Sequence, residues 1–132
     1  MNNLSIIYFA QGIPGFEQYY QFGFVSVEGE LPIKLMQSVE DNDISFLVAS
    51  PFYFNPEYEV ELSESTKQEL DILTEEDVEV WSIVTMPSEP SQATINLLAP
   101  IIINRNKKIG KQLILHNSEY SSRSPLVRLR RG

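Results

Sequence analysis

Short runs of β-branched and aromatic residues, separated by Pro, Gly, Asn and Asp, recur along this sequence and limit what it can fold into. Each run has the length of one β-strand, and the separating residues are those that form turns. We therefore predict a mostly β fold with many short strands. The candidate strands are residues 5–9, 20–27, 33–38, 45–50 and 78–86.

Two shorter patterns add a turn and a hairpin. In Ile13-Pro14-Gly15, proline suits the first central position of a type II turn, and glycine supplies the positive φ of the second. Residues 100–104 and 111–115 predict a β-hairpin across the basic loop 105–110. Residues 93–98 fit either a strand or a helical turn.

Residues 57–62 alternate strictly between glutamate and apolar side chains, so a strand here would have one charged and one apolar face. The charged face would carry Glu57, Glu59 and Glu61. Two interpretations remain open for it. Charge on an edge strand prevents edge-to-edge aggregation, and the same row offers a docking site for a basic or helical partner.

A short helical insertion is expected near residues 63–77. Ser65 and Gln68 have the spacing of a capping box at the start of residues 65–70, and a second turn begins at Thr74. The simplest architecture is a small single-domain antiparallel β-barrel-like fold that spans residues 1–115, since closure into a barrel removes exposed edges. Residues 116–132 are expected to form a basic C-terminal tail that is partly disordered.

Charge is segregated along the chain. Two basic and seventeen acidic residues give −15 for residues 1–104, whereas eight basic residues and one acidic residue give +7 for residues 105–132. The acidic body should repel nucleic acid and attract basic protein surfaces. The basic tail in isolation could contact phosphate, but it adjoins this acidic body and has few aromatics for base stacking. We expect no direct binding to nucleic acid.

Few residues are available for chemistry. The sequence has no cysteine, which excludes disulfides and thiolate catalysis, and its single histidine, His116, offers no metal-binding pair. No phosphate-binding glycine loop or nucleophile motif is present. Asp41 and Asp43 lack the later ligands of a calcium loop and indicate a solvated turn. We expect no catalytic residue, metal or cofactor.

Another class of function stays open at this stage. Carboxylates are plentiful, and glycoside hydrolysis needs only two of them, so a small-ligand-binding or carboxylate-dependent hydrolytic β-barrel is the alternative. No apolar run approaches the roughly 20 residues that span a bilayer, and no signal peptide is evident at the N-terminus. We expect a cytoplasmic monomer that does not bind membranes.

Six stretches carry a family resemblance. They are GIPGFE at 12–17, LMQS at 35–38, SFLVASPF at 45–52, NLLAPIIIN at 96–104, GKQLIL at 110–115 and YSSRSPL at 120–126. In order and spacing they resemble the bacterial flagellar assembly factor FliW. Two positions depart from the family pattern, because Ser50 replaces a common aspartate and Ser124 a common histidine, and the extension 127–132 is not part of it.

The resemblance implies a non-enzymatic protein with a small β-barrel-like fold that binds flagellin and, in exchange, the RNA-binding translational regulator CsrA. Export of flagellin would free the factor to sequester CsrA, which relieves repression of flagellin translation. An acidic body suits this role, because a protein that holds RNA must itself be basic.

Six residues are candidates for partner binding. Phe54, from an aromatic run at 52–54 too dense for one strand face, would be the apolar anchor, and Glu57, Glu59 and Glu61 the charged rim. Asn96 and Asn104 flank the apolar run of the fourth FliW-like stretch. They either contact a partner or bond backbone groups at strand ends, and we favour the second interpretation.

Overall fold

The fold is described from a computed structural model of the chain, for residues 5–116 except 28 and 30, and for residues 119–126. The strands are β1 Ser5–Tyr8, β2 Gln21–Ser26, β3 Ile33–Ser38, β4 Ser45–Ala49, β5 Val78–Thr85, β6 Thr94–Ile95, β7 Ile101–Asn104, β8 Ile109–Gln112 and β9 Ser124–Pro125. The helices are α1 Pro51–Phe54 and α2 Glu64–Glu69, and short 3₁₀ turns cover Glu75–Asp77 and Pro90–Gln92. No helix in these ranges has the length and apolar character needed to cross a membrane.

Seven strands close into a barrel in the order β4-β3-β2-β1-β8-β7-β5, and β5 pairs back onto β4. The neighbouring strands are antiparallel except β1 and β8, which are parallel through one bridge between Tyr8 and Ile109. β6 pairs antiparallel with the end of β5, and β9 pairs antiparallel with β6. The prediction of a mostly β, barrel-like fold is confirmed.

The barrel interior is a packed hydrophobic core. Inward-facing side chains alternate along the strands, as the two-residue period of a strand requires. Phe9 and Phe22 meet edge to face with their ring centroids 5.7 Å apart. The core residues are Ile7, Phe9, Ile13, Phe22, Phe24, Met36, Val48, Trp81, Ile101 and Ile103.

A second apolar layer covers the outer wall of β4, β5 and β7. One cluster buries Phe54 of α1 and Tyr58 beside Val84 of β5. The other buries Leu70 and Ile72, which follow α2, beside Ile102 of β7. The helical insertion and residues 57–62 are therefore held on one wall of the barrel, where they shape the molecular surface.

Residues 57–62 do not form a strand, so that prediction is wrong. Side chains hold the segment instead of a ladder, because the Tyr58 hydroxyl donates to the Leu97 carbonyl oxygen at 2.7 Å. The Glu59 N–H donates to the Tyr120 hydroxyl at 3.0 Å. Burial still alternates, with Tyr58 buried and the glutamates on either side exposed. The sequence alternation therefore reports one buried face, which does not require pairing with a neighbouring strand.

The helical insertion is confirmed, but α2 starts earlier than predicted. Ser63 caps it by accepting the Thr66 N–H at 3.1 Å, so the expected capping box at Ser65 is wrong. The helix ends in a Schellman motif, in which Asp71 has a φ of 55° and the Ile72 N–H donates to the Lys67 carbonyl oxygen at 2.8 Å. This ending buries Ile72 and turns the next residues outward.

The hairpin of β7 and β8 is confirmed, with a shorter loop than predicted. The second strand is Ile109–Gln112 rather than residues 111–115, so Gly110 lies in the ladder opposite Ile103. The type II turn is also present, because the Phe16 N–H donates to the Ile13 carbonyl oxygen at 2.7 Å and Gly15 has a φ of 88°.

Residues 119–126 run along the body of the protein. The Leu97 N–H donates to the Ser121 carbonyl oxygen, and the Leu126 N–H donates to that of Ala93. β9 lies between these contacts and pairs with β6. The arginine-rich end at 127–132 lies outside the described residues, so its disorder stays a prediction.

Candidate partner-binding surface

The aromatic run at 52–54 forms α1, which Pro51 starts at a position where no helical N–H is needed. Successive helical side chains point about 100° apart, so the three rings face different directions. Phe54 is only 5% exposed and belongs to the core, which corrects its prediction as a surface anchor. Phe52 is 42% exposed and is available for contact instead.

Glu57, Glu59 and Glu61 are all exposed on the segment that follows α1. Within the described ranges, none of their carboxylates takes part in an ion pair or a hydrogen bond. The structure therefore brings the three predicted charges together without neutralising them. An unneutralised row of this kind attracts positively charged surfaces.

Two tyrosines fix the path of this acidic segment. The Tyr58 and Tyr120 rings pack with centroids 4.6 Å apart, and the Tyr120 hydroxyl accepts the Glu59 N–H. Burial, followed by the nearby Tyr120, raises the pKa of the Tyr58 hydroxyl far above its ordinary value, so it stays a neutral donor to Leu97. The sequence places Tyr120 in a FliW-like stretch of the basic tail, and its contact with Glu59 depends on the fold.

An open groove of about 1360 Å³ runs beside the acidic segment, and we call it the acidic groove. Carboxylates at 57, 59, 61 and 119 line it, and His116 is its one basic side chain. Its lining residues are Phe52, Asn55, Pro56, Glu57, Tyr58, Glu59, Val60, Glu61, Leu115, His116, Glu119 and Tyr120. Its charge and shape suit a basic protein surface.

A second groove, of about 560 Å³, lies next to it, and we call it the apolar groove. The two grooves share Phe52, Val60 and Glu61. The other lining residues of the apolar groove are Leu62, Lys67, Ile72, Leu73, Thr74, Glu75, Val78 and Val80. Leu73 is 89% exposed, and the sequence reasoning missed it. The one feature of the sequence that points to Leu73 is that an apolar residue stands in a turn region.

Asp77 holds the chain that carries Leu73. One oxygen of its carboxylate accepts the Leu73 and Thr74 N–H groups, at 3.2 and 3.1 Å, and the other accepts from the Asn106 amide at 2.6 Å. The backbone donors at Thr74 and Leu73 lower the pKa of Asp77, because they favour its charged form. The apolar groove is thus tied to the β7–β8 hairpin through one carboxylate.

We expect Asp77 to make stability depend on acid pH. Its pKa is lower folded than unfolded, so its stabilising effect is complete above the unfolded pKa and is lost as the pH falls through the folded one. An Asp77→Asn protein should therefore be less stable than the wild type near pH 6, and this difference in stability should begin to narrow as the pH falls below about 4. Urea unfolding between pH 2 and 7 measures this gap. Glu76→Gln, at an exposed neighbour, is the control, and an equal gap at every pH would contradict the prediction.

Asn96 and Asn104 serve the backbone, which favours the structural interpretation of both. Asn96 accepts the N–H groups of Leu98 and Ala99, each at 3.0 Å. Asn104 is 1% exposed, so its prediction as a partner contact is corrected. Its amide donates to the carbonyl oxygens of Leu70 and Asp71, where α2 ends. Its oxygen accepts from the backbone of the hairpin loop.

Comparison with known proteins decides the family of the chain. Residues 1–126 match the protein family described as "FliW protein".

The chain belongs to the FliW family.

The flagellar assembly factor FliW of Bacillus subtilis (strain 168) is 44% identical over 122 residues, covering 92% of this chain and 85% of that protein. The FliW of Thermosipho africanus (strain TCF52B) is 41% identical over 127 residues, covering 96% and 88%. A crystal structure of the flagellar assembly factor FliW superposes with a TM-score of 0.88 at 38% identity, covering 92% of this chain and 85% of that one. The resemblance inferred from the six stretches is confirmed.

Two FliW-like stretches bond to the backbone of segments that carry groove residues. The stretch at 96–104 supplies both asparagines, and that at 120–126 supplies Tyr120 under the acidic segment. The acidic segment itself lies outside all six stretches. The FliW-like stretches therefore supply part of the lining of the acidic groove, namely Phe52, Leu115 and Tyr120, whereas the three glutamates are indicated by their alternation with apolar residues.

Proposed function

We propose that this FliW-family protein acts in flagellar assembly by binding flagellin and, in exchange, CsrA. The exchange would leave the protein free to sequester CsrA once flagellin is exported, and so relieve repression of flagellin translation. The observation that carries the proposal is the acidic groove, whose carboxylates are exposed and unneutralised on a FliW fold. The relatives are named as flagellar assembly factors, which supports the cellular process.

The proposed mechanism is reversible docking in the cytoplasm, by a monomer and without catalysis. Complementary charge raises the rate of encounter with a basic partner, and apolar contacts slow its release. The same negative field repels RNA, so the protein would recruit an RNA-binding regulator without binding RNA itself. Both grooves lie outside a filled barrel, which supports protein binding over the alternative ligand-binding or hydrolytic barrel.

Co-purification with flagellin and with CsrA, at low and moderate salt, tests the proposal. The unsubstituted chain should retain each partner, and an excess of either should displace the other. Both complexes should weaken as salt rises, because exposed charges are screened over about 10 Å at 0.1 M ionic strength. Retention of neither partner would overturn the assignment.

A charge reversal tests the acidic groove itself. Glu57→Lys with Glu59→Lys should weaken the binding of flagellin and of CsrA by about tenfold or more at low salt, and by less at moderate salt. Asp43→Lys with Glu89→Lys changes the net charge equally at two exposed sites outside both grooves, so it is the matched control. Equal affinities for the two double variants would show that net charge, and not the groove, attracts the partner.

A further inference from the structure

The apolar groove is an exposed hydrophobic surface built from several separate elements. Its lining combines Phe52 of α1, residues 60–62, Leu73 after α2 and two half-buried valines of β5. Scattered single hydrophobics are normal on a protein surface, whereas a contiguous concave group marks a binding site. The pairing of a 42% exposed Phe52 with an 89% exposed Leu73 in one groove is of the second kind.

The backbone at Leu73 is held by hydrogen bonds, although the side chain is exposed. Its N–H is bonded to Asp77, and the Schellman motif at Asp71 and Ile72 fixes the chain before it. Asn104 anchors the same turn through the carbonyl oxygens of Leu70 and Asp71. A backbone that is already fixed loses little conformational entropy when a partner covers the side chain it carries, so binding there is favoured.

The charges around the apolar groove select a basic occupant. Glu61 and Glu75 line it and are exposed. Lys67, the one cation of the lining, is paired with Glu64 at 3.4 Å. The unneutralised charge is therefore negative on an apolar floor. A basic residue beside an apolar one in the partner would satisfy both features.

We propose that the apolar groove receives an amphipathic segment of the protein partner, with apolar side chains against Phe52 and Leu73 and Lys or Arg beside Glu61 and Glu75. This rests on the proposed function and specifies how part of the partner is recognised. The volume of about 560 Å³ lies within the range of ligand-binding clefts, about 300–1,000 Å³. The groove thus takes a short segment, as in other proteins that recognise one amphipathic stretch.

Leu73→Ser tests the proposal with little risk to folding, because the side chain is almost fully exposed. We expect it to weaken binding of purified flagellin or CsrA by about tenfold or more, as at an apolar interface anchor. This fold-loss of affinity should be the same at low and moderate salt. The loss caused by Glu57→Lys with Glu59→Lys should instead be smaller at moderate salt. Leu31→Ser, at a 51% exposed leucine between β2 and β3, is the matched control and should leave both affinities unchanged. Equal affinities of the two serine variants for both partners would overturn the groove proposal.

A second measurement keeps this test separate from the identity of the partners. Fluorescence anisotropy should show that the wild type binds an amphipathic leucine–lysine peptide more tightly than the same peptide with glutamate in place of lysine. Leu73→Ser should weaken the leucine–lysine complex and Leu31→Ser should not. Binding of this peptide through Leu73, without binding of flagellin or CsrA, would support the groove and overturn the proposed function. No preference between the two peptides would overturn the groove proposal, whatever the partners do.

Discussion

Asn104→Ala is expected to lower the free energy of unfolding by about 3–4 kcal/mol, the largest loss for any polar residue considered. Its amide makes hydrogen bonds of 2.7 and 3.1 Å to Leu70 and Asp71, and its oxygen accepts the N–H groups of Asn106 and Lys107. Alanine removes all four bonds at a buried position and leaves carbonyl oxygens at the end of α2 without this partner. Urea unfolding measures the loss.

Asn96→Ala is the matched control for this prediction. Asn96 is half-buried and accepts two backbone N–H groups, so its loss should cost only about 1 kcal/mol. Asn104→Asp keeps the acceptor oxygens, but a buried carboxylate would repel the carbonyl oxygens of Leu70 and Asp71, so this variant should be at least as destabilised as Asn104→Ala. An Asn104→Ala protein no less stable than Asn96→Ala would contradict the prediction.

Gly12→Ala is expected to be nearly as severe, with a loss of about 2–4 kcal/mol. Gly12 has a φ of 68°, where an L side chain is strained. A Cβ at this position would also lie 2.7 Å from the Glu17 Cα and 2.9 Å from the Glu17 carbonyl oxygen. Both contacts are with backbone, so a rotamer change cannot relieve them, and the turn must move.

Gly15→Ala separates the two causes. Gly15 also has a positive φ, 88°, but a Cβ there would meet nothing within 4 Å. Gly15→Ala should therefore lower the free energy of unfolding through conformational strain alone, by about 1–2 kcal/mol. Thermal or urea unfolding of the two proteins gives the contribution of the steric clash by difference. Equal losses at the two glycines would show that the clash is relieved at little cost.

The sequence predicted the strands of this fold well, because they are encoded by local runs and by the turns between them. Ile33–Ser38 is found with the predicted bounds, and the turn at Pro14 and Gly15 has the expected conformation. The failure at residues 57–62 has a physical cause. An alternating pattern shows that alternate side chains are buried, and here Tyr58 is buried against the distant Tyr120 rather than beside a paired strand.

The candidate site was predicted in part. The charges at Glu57, Glu59 and Glu61 were found because they alternate with apolar residues, which is a local signal. The exposure of Leu73 could not be predicted from a local signal, because it depends on how Asp77 and Asn104 hold the chain after α2. Phe54 was mistaken for an anchor because neighbouring aromatics in sequence give no indication of which ring faces the core. Long-range contacts decide both cases.

The parallel pairing of β1 with β8 can form only after most of the described chain has been synthesised. Its one bridge joins Tyr8 to Ile109, which are 101 positions apart, and contacts between distant residues form slowly because a long loop must close first. During synthesis, β1 to β4 leave the ribosome long before β8 exists to complete the barrel. Tyr120, which supports the acidic segment, emerges later still. The acidic segment is therefore synthesised before the strand that completes the barrel and before the tyrosine that holds the segment in place.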